Sequence, residues 1–149
     1  MKAVIQRVKK AHVEIDGKVV GKINRGLLIL LGIGAEDDEA KIKRLYQKIK
    51  ALRIFVDEAG KTNLNSETVS AEWLIVSQFT LLADCRKGNR PSFTSAGDPK
   101  RAQALYDFFC DLARQDLGEG CQTGEFGADM AVSLINDGPF TIVLGDEIL

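Results

Sequence analysis

The chain opens on an alternation of apolar and polar positions over residues 2–8 and 11–15, the period-2 pattern of half-buried strands. Asp16-Gly17, set between that alternation and Lys18-Val19-Val20-Gly21-Lys22-Ile23, is a strong hairpin signal. Asn24-Arg25-Gly26 reads as a turn, and the wholly apolar run from Leu27 to Gly34 as a strand buried on both faces. From Asp37 to Leu52 the apolar residues Ile42, Leu45, Tyr46, Ile49 and Leu52 recur at helical spacing. Asp37, Asp38 and Glu39 stand in the first turn, where the helix dipole favours acids. Residues 52–56 form a further strand and 57–63 a turn-rich connection. The run Glu72–Leu82 is read as the central strand, apolar until its far end turns polar at Ser77, Gln78 and Thr80.

Beyond Leu82 lies a basic loop, Asp84–Phe93, too poor in apolar residues to be held by packing. Asp98-Pro99 starts a second helix, with a cap and a proline suited to the first helical position; Ala102, Leu105, Tyr106, Phe109 and Leu112 are its buried stripe. That helix ends near Gly118-Glu119-Gly120. Residues 126–135 and 140–144 read as two strands joined by a turn at Asn136-Asp137-Gly138-Pro139. The fold expected is α/β (α+β): one domain spanning 1–149, a mixed, largely antiparallel sheet or partly open barrel with two main helices packed on it.

A chain of 149 residues has the length of one domain and can bury a core without disulfides or metals. With 20 basic and 21 acidic residues the charges nearly cancel, so any contact with nucleic acid must be local. Three cysteines, no C-x-x-C spacing and a single histidine argue against a disulfide framework and against a zinc site. The N-terminus moves straight into a strand pattern, without a signal-peptide core or a membrane-spanning run. A soluble protein of the reducing cytoplasm is the expectation.

Gly32-Ile33-Gly34 between strand and helix invites a dinucleotide reading, but the third glycine of G-x-G-x-x-G is replaced by Asp37, and acids there would repel phosphate. His12, in an alternating strand, belongs on the solvent face beside Glu14. Ser77-Gln78-Phe79-Thr80 is either a strand end satisfied by its neighbours or a site. Thr80 has no evident base to make it a nucleophile, whereas the Phe79 and Thr80 N–H groups at a strand terminus are free to face a developing oxyanion. Arg86, Lys87 and Arg90 are either solvated charges or contacts to a phosphate backbone. Gly138-Pro139 is either an ordinary turn or a cis linkage that lets backbone approach a ligand closely.

Ser77–Leu81 (S-Q-F-T-L), Asn136–Pro139 (N-D-G-P) and Lys87–Phe93 (K-G-N-R-P-S-F) resemble the D-aminoacyl-tRNA deacylases, the D-Tyr-tRNA(Tyr) deacylase family. Ala3–Val8, Leu52–Phe55 and Thr123–Met130 fit the same family, so the resemblance runs in order over nearly the whole chain. It implies a cytoplasmic homodimer, without metal or cofactor, that hydrolyses the ester joining a D-amino acid to the 3′ end of tRNA. It further implies that Ser77, Gln78, Phe79 and Thr80 form the pocket wall and oxyanion donors. Gly138 and Pro139, inserted from the partner subunit, would be the chirality filter. Arg7 would support that filter, Met130 would line the pocket, and Arg86, Lys87 and Arg90 would meet the tRNA backbone. Phe140 departs from the family pattern, which usually has Val there. Two rival readings are a nucleic-acid-binding module without catalysis and a general esterase; the latter calls for a G-x-S-x-G elbow that this sequence lacks.

Overall fold

The two opening segments of alternation prove to be one strand, β1, running unbroken over Lys2–Ile15. In the computed structural model, which describes residues 1–145, it turns at Asp16 and Gly17 (φ 50° and 74°, the left-handed values a type I′ hairpin requires) into β2, Lys18–Ile23. β3, Gly26–Gly32, pairs antiparallel with the first half of β1, from Lys2 opposite Gly32 to Val8 opposite Gly26. One edge of β1 is therefore shared between β3 and β2.

Helix α1 spans Glu39–Ala51 and is capped by Asp38, whose carboxylate accepts the Lys41 N–H at 2.8 Å. Asp37 is not the first-turn surface acid expected of it. It is buried, 1% exposed, and accepts from the Met1 ammonium at 3.1 Å and the Gly34 N–H at 2.6 Å. A buried carboxylate is tolerable only with such partners. The strand expected at 52–56 shrinks to β4, Phe55–Val56, which forms a separate two-stranded sheet with β5, Thr62–Leu64, inside the stretch read as turn.

β6, Glu72–Ser77, lies parallel to β3. It stops five residues short of the predicted Leu82, because Phe79–Leu82 curl into a 3-10 turn. Helix α2, Pro99–Leu117, has Asp98 as its cap, accepting from the Lys100 and Arg101 N–H groups at 3.1 Å each. A short strand missed in the sequence, β7 (Cys121–Thr123), runs parallel to β6. The two strands expected at 126–135 and 140–144 are one long strand, β8, Ala131–Gly145, laid antiparallel along the whole free edge of β1. Asn136–Pro139 is no hairpin turn. Gln6 faces Thr141 and Val8 faces Asn136, so residues 137–140 bulge out opposite Arg7 alone.

The sheet order is β2-β1-β3-β6-β7, with β8 on the other side of β1, and it curls until β2 meets β7: a Cβ on Gly21 would lie 2.7 Å from the Thr123 carbonyl oxygen. The expected mixed, partly open barrel with two helices is the architecture found. Inside the curl pack Val8, Val13, Ile23, Leu28, Leu74 and Val76. On the outer face, α1 and α2 cover Ile5, Ile29, Trp73 and Ile75, with the Tyr46 ring 5.7 Å from those of both Trp73 and Phe109. β3 and β6 are thus apolar on both faces, as their continuous runs required. Among the described residues no helix is long and apolar enough to cross a membrane.

Two of the three cysteines, Cys110 and Cys121, lie in that outer core, while Cys85 is exposed on the basic loop. Burial pushes the Cys110 thiol up to about 12, and Cys121 up as well, so neither supplies thiolate near neutrality. A thiol-titrating reagent at pH 8 is therefore expected to modify one cysteine per native chain and three in denaturant. Rapid native labelling of a second thiol would show that the α2–β7 core opens readily.

Candidate active site

The polar end of β6 makes a corner against the end of β3. Gln78 donates its N–H to the Leu31 carbonyl at 2.8 Å, after which the chain leaves the ladder. Leu81 N–H then returns to the Gln78 carbonyl at 3.3 Å and Ala83 N–H to that of Thr80 at 3.1 Å. As at the start of any such turn, the leading N–H groups have no intrahelical acceptor. Among the described residues the Phe79 and Thr80 N–H groups have none at all. The Thr80 hydroxyl accepts from the Gln78 side-chain amide. An amide donor cannot take a proton from that hydroxyl, so nothing here activates it as a nucleophile.

Gly32 explains why the turn can sit where it does. A Cβ at that position would lie 2.8 Å from the Gln78 carbonyl oxygen and 3.2 Å from Leu81 Cβ. Gly34 and Gly97 likewise approach closely, a Cβ on Gly97 lying 3.1 Å from the Gly34 carbonyl oxygen. The Gly-x-Gly run is thus a packing device for the corner and not a phosphate loop.

Two adjoining hollows open at the corner, of about 390 and 320 Å³, and both are lined by Ser77, Gln78, Phe79, Phe126 and Gly127. The larger is closed by Phe93, Gly97 and Pro99, the smaller by Asp129 and Met130. The structure therefore brings Ser77, Gln78, Phe79 and Met130 together, with Thr80 one residue further along the same turn. Phe93, Gly97, Phe126 and Gly127 escaped the sequence reading as wall residues; the Phe79 and Phe93 rings meet edge to face at 5.2 Å across the rim. Among the described residues no group of three or more His, Cys, Asp and Glu side chains is placed to hold a metal ion. His12 sits half-exposed at 3.0 Å from Glu14, as the strand pattern indicated.

Arg7, Gly138 and Pro139 form a second cluster. Arg7 is buried, with Nε 2.9 Å from Asp137 Oδ2 and 3.2 Å from the Asp137 carbonyl, and Nη2 3.3 Å from the Gly138 carbonyl. Nη1 donates to the Ile54 carbonyl. The Gly138-Pro139 peptide is cis, and both residues are exposed. Within one chain this cluster is far from the corner: Arg7 is level with Leu27 and Trp73, while the corner begins at Ser77. Four residues along the strands span roughly 13 Å, and the three strand steps from β6 to β8 add roughly 14 Å across them.

Arg86, Lys87 and Arg90 line a third hollow with Asp84 and Ser92, and mutual N–H to carbonyl bonds between Asp84 and Ser92 (2.8 and 2.9 Å) close the loop's base. Arg86 is not a free cation. It grips Asp84 through both carboxylate oxygens, at 2.9 and 2.7 Å, holding that carboxyl well below the usual range. Lys87 and Arg90 carry the loop's surplus charge.

Gly32→Ala is expected to lower the unfolding free energy by about 1–3 kcal/mol, since backbone must shift to admit the methyl group. It should also speed amide exchange at Leu81 and Ala83, whose bonds hold the turn. A urea midpoint and exchange rates equal to wild type would show that the corner yields at no cost.

The family model described as D-Tyr-tRNA(Tyr) deacylase matches residues 4–145. The D-aminoacyl-tRNA deacylase of Thermosipho africanus (strain TCF52B) is 55% identical over 147 residues, 99% of this chain and 98% of its own. That of Aliivibrio fischeri (strain MJ11) is 54% identical over 144 residues, 97% of this chain and 99% of its own. Among solved structures, the c-Myc DNA Unwinding Element Binding Protein superposes with a TM-score of 0.93 at 40% identity, covering 98% of this chain and 99% of that one. A probable eukaryotic D-amino acid tRNA deacylase shares the fold, with a TM-score of 0.85 at 17% identity over 96% of this chain and 97% of that one. With the family model spanning all but a few residues and relatives above half identity end to end, this chain belongs to the D-Tyr-tRNA(Tyr) deacylase family.

Proposed function

We propose that this protein hydrolyses the ester bond of D-aminoacyl-tRNA, and probes chirality with main-chain atoms. The carrying observation is the near-complete, 54–55% identity to D-aminoacyl-tRNA deacylases, joined to a corner whose Phe79 and Thr80 N–H groups lack acceptors among the described residues. An aminoacyl ester is already activated. One well-placed oxyanion donor contributes about 10²–10³ in rate, so two main-chain N–H groups with help from the tRNA's own 2′-hydroxyl suffice without a triad. The terminal adenosine and aminoacyl group occupy the hollows beside Ser77, Gln78, Phe79 and Met130. Lys87, Arg90 and the paired Arg86 meet the phosphate backbone in a cytoplasmic reaction that needs no metal or cofactor.

Discrimination rests on repulsion as much as attraction. Carbonyl oxygens of the Gly138-Pro139 bulge accept the α-ammonium and leave no room for a side chain of L configuration. Since β-strand register separates this bulge from the corner of its own chain, the bulge serves the corner of a second copy, and the working unit is a homodimer. The edge of β8 supports this: among the described residues it pairs with β1 alone, and Leu134, Ile135 and Val143 on it are exposed large hydrophobics. An open, apolar edge strand of this length is a pairing surface.

One solved relative is named for DNA binding, so a non-catalytic nucleic-acid module is the alternative. A formal net charge of −1 weighs against tight non-specific duplex binding.

Purified protein with chelator present is expected to deacylate D-aminoacyl-tRNA and glycyl-tRNA while sparing the matched L-ester, glycine having no side chain to exclude. Survival of the glycyl ester at an enzyme concentration that clears the D-ester counts against the carbonyl filter. Tight, salt-insensitive binding to plain duplex without any deacylation would favour the alternative. Thr80→Ala is expected to retain most of kcat; a loss approaching the uncatalysed rate would make the hydroxyl, and not the N–H, the chemical group.

A further inference from the structure

Phe140 follows directly on the exposed Gly138-Pro139 pair, and its ring is half-buried against the core packed under the helices. The Arg7 guanidinium lies over that ring, with Cζ 4.5 Å from the centroid. The same guanidinium donates to the Asp137 and Gly138 carbonyls, at 3.2 and 3.3 Å. Four acceptors thus meet the Arg7 N–H groups, the carboxylate and carbonyl of Asp137 and the carbonyls of Gly138 and Ile54, while the Phe140 ring presents its face to the guanidinium carbon. The neck of the bulge is closed separately: the Asn136 amide, oriented to meet both acceptors, donates to the Phe140 carbonyl at 3.3 Å and the Arg7 carbonyl at 3.1 Å.

Hydrogen bonds to the guanidinium N–H groups restrain sliding within its plane more strongly than tilting out of it. The Phe140 ring beneath Cζ adds a restraint against that motion, because a cation is drawn to the centre of the π cloud. Tilting Arg7 would carry Nη2 away from the Gly138 carbonyl, whose donor distance is already 3.3 Å. At that length the bond weakens steeply with misalignment.

We infer that Phe140 is a positioning residue for stereoselectivity: its ring face, acting through Arg7, sets the orientation of the Gly138 carbonyl. The inference rests on the reading of that carbonyl as the chirality filter. Phe140 touches no substrate in this role and contributes nothing to bond breaking. Its loss lowers the ratio of D- to L-ester hydrolysis, and because the same carbonyl accepts the α-ammonium of every aminoacyl ester, the glycyl rate falls together with the D rate.

The test replaces Phe140 with monofluoro-, trifluoro- and pentafluorophenylalanine in the full chain, which drains the ring of negative charge while nearly keeping its shape. Deacylation of matched D-, L- and glycyl-tRNA is measured for each, with the thermal midpoint on the same samples. The D-to-L ratio is expected to fall stepwise, by about three- to thirtyfold at the pentafluoro ring, with the glycyl rate falling alongside the D rate. Phe140→Leu should resemble the pentafluoro variant and Phe140→Tyr should restore the wild-type ratio. A ratio that is flat across the series, or that tracks only the thermal midpoint, overturns the inference while leaving the filter intact. A wild-type protein that hydrolyses D- and L-esters alike overturns the filter itself.

Discussion

The buried guanidinium of Arg7 is the constraint around which this end of the molecule is arranged. A guanidinium taken out of water is tolerable only when its N–H groups are met, and leaving one partner out is costly. Here the partners come from two separate places: the Ile54 carbonyl just before β4, and, in the bulge of β8, the carbonyl and carboxylate of Asp137 with the Gly138 carbonyl. Arg7 itself stands on β1. One cation therefore ties the small β4–β5 sheet and the bulge of β8 to the strand that organises the main sheet. Four residues of β8 can oppose a single residue of β1 because that residue supplies the donors the interrupted ladder lacks.

The corner at the far end of β6 is built by the opposite device, the absence of a side chain. Gly32 admits the Gln78 carbonyl, and the chain can then leave the ladder after Ser77 with two N–H groups unspent. On the proposed reading, the groups offered to a substrate at both places are main-chain atoms, and the side chains around them act by aiming them. This explains how a chain with one histidine and no convergent acid cluster among its described residues can still be equipped for selective ester hydrolysis.

Much of the fold was legible because its signals are local. The Asp16-Gly17 turn, the Asp98 cap before Pro99 and the double-faced apolar runs of β3 and β6 each depend on a few neighbouring residues. The failures share a cause in contacts distant along the chain. β6 was overextended because what ends it is Gly32, more than forty positions earlier. β8 was cut in two because Asn136-Asp137-Gly138-Pro139 has the composition of a turn, and only pairing with β1 and the donors of Arg7 keep the strand running through it. Asp37 looked like a helix-start acid because nothing nearby reveals the Met1 ammonium against it. Within the site, the polar end of an apolar strand pointed to Ser77–Thr80, whereas Phe93, Phe126 and Gly127 reach the hollows through the topology of α2 and β7.

That β6 and β8 sit on opposite flanks of β1 has a consequence for how a selective site of this kind can be assembled. A carbonyl filter must stand a few ångströms from the oxyanion donors, and register places Gly138 and Ser77 at different levels on strands three steps apart. No side-chain rearrangement closes such a gap, since a shift in register would turn the buried faces of β1 and β3 outward. On the proposed reading the distance is bridged by a second copy, and β8, which carries Gly138, is also the strand whose outer edge and apolar side chains Leu134, Ile135 and Val143 are open among the described residues. If, as proposed, the filter lies on the strand through which two copies associate, selectivity is coupled to assembly: a lone protomer would keep its oxyanion donors and lack the means of rejecting the wrong hand.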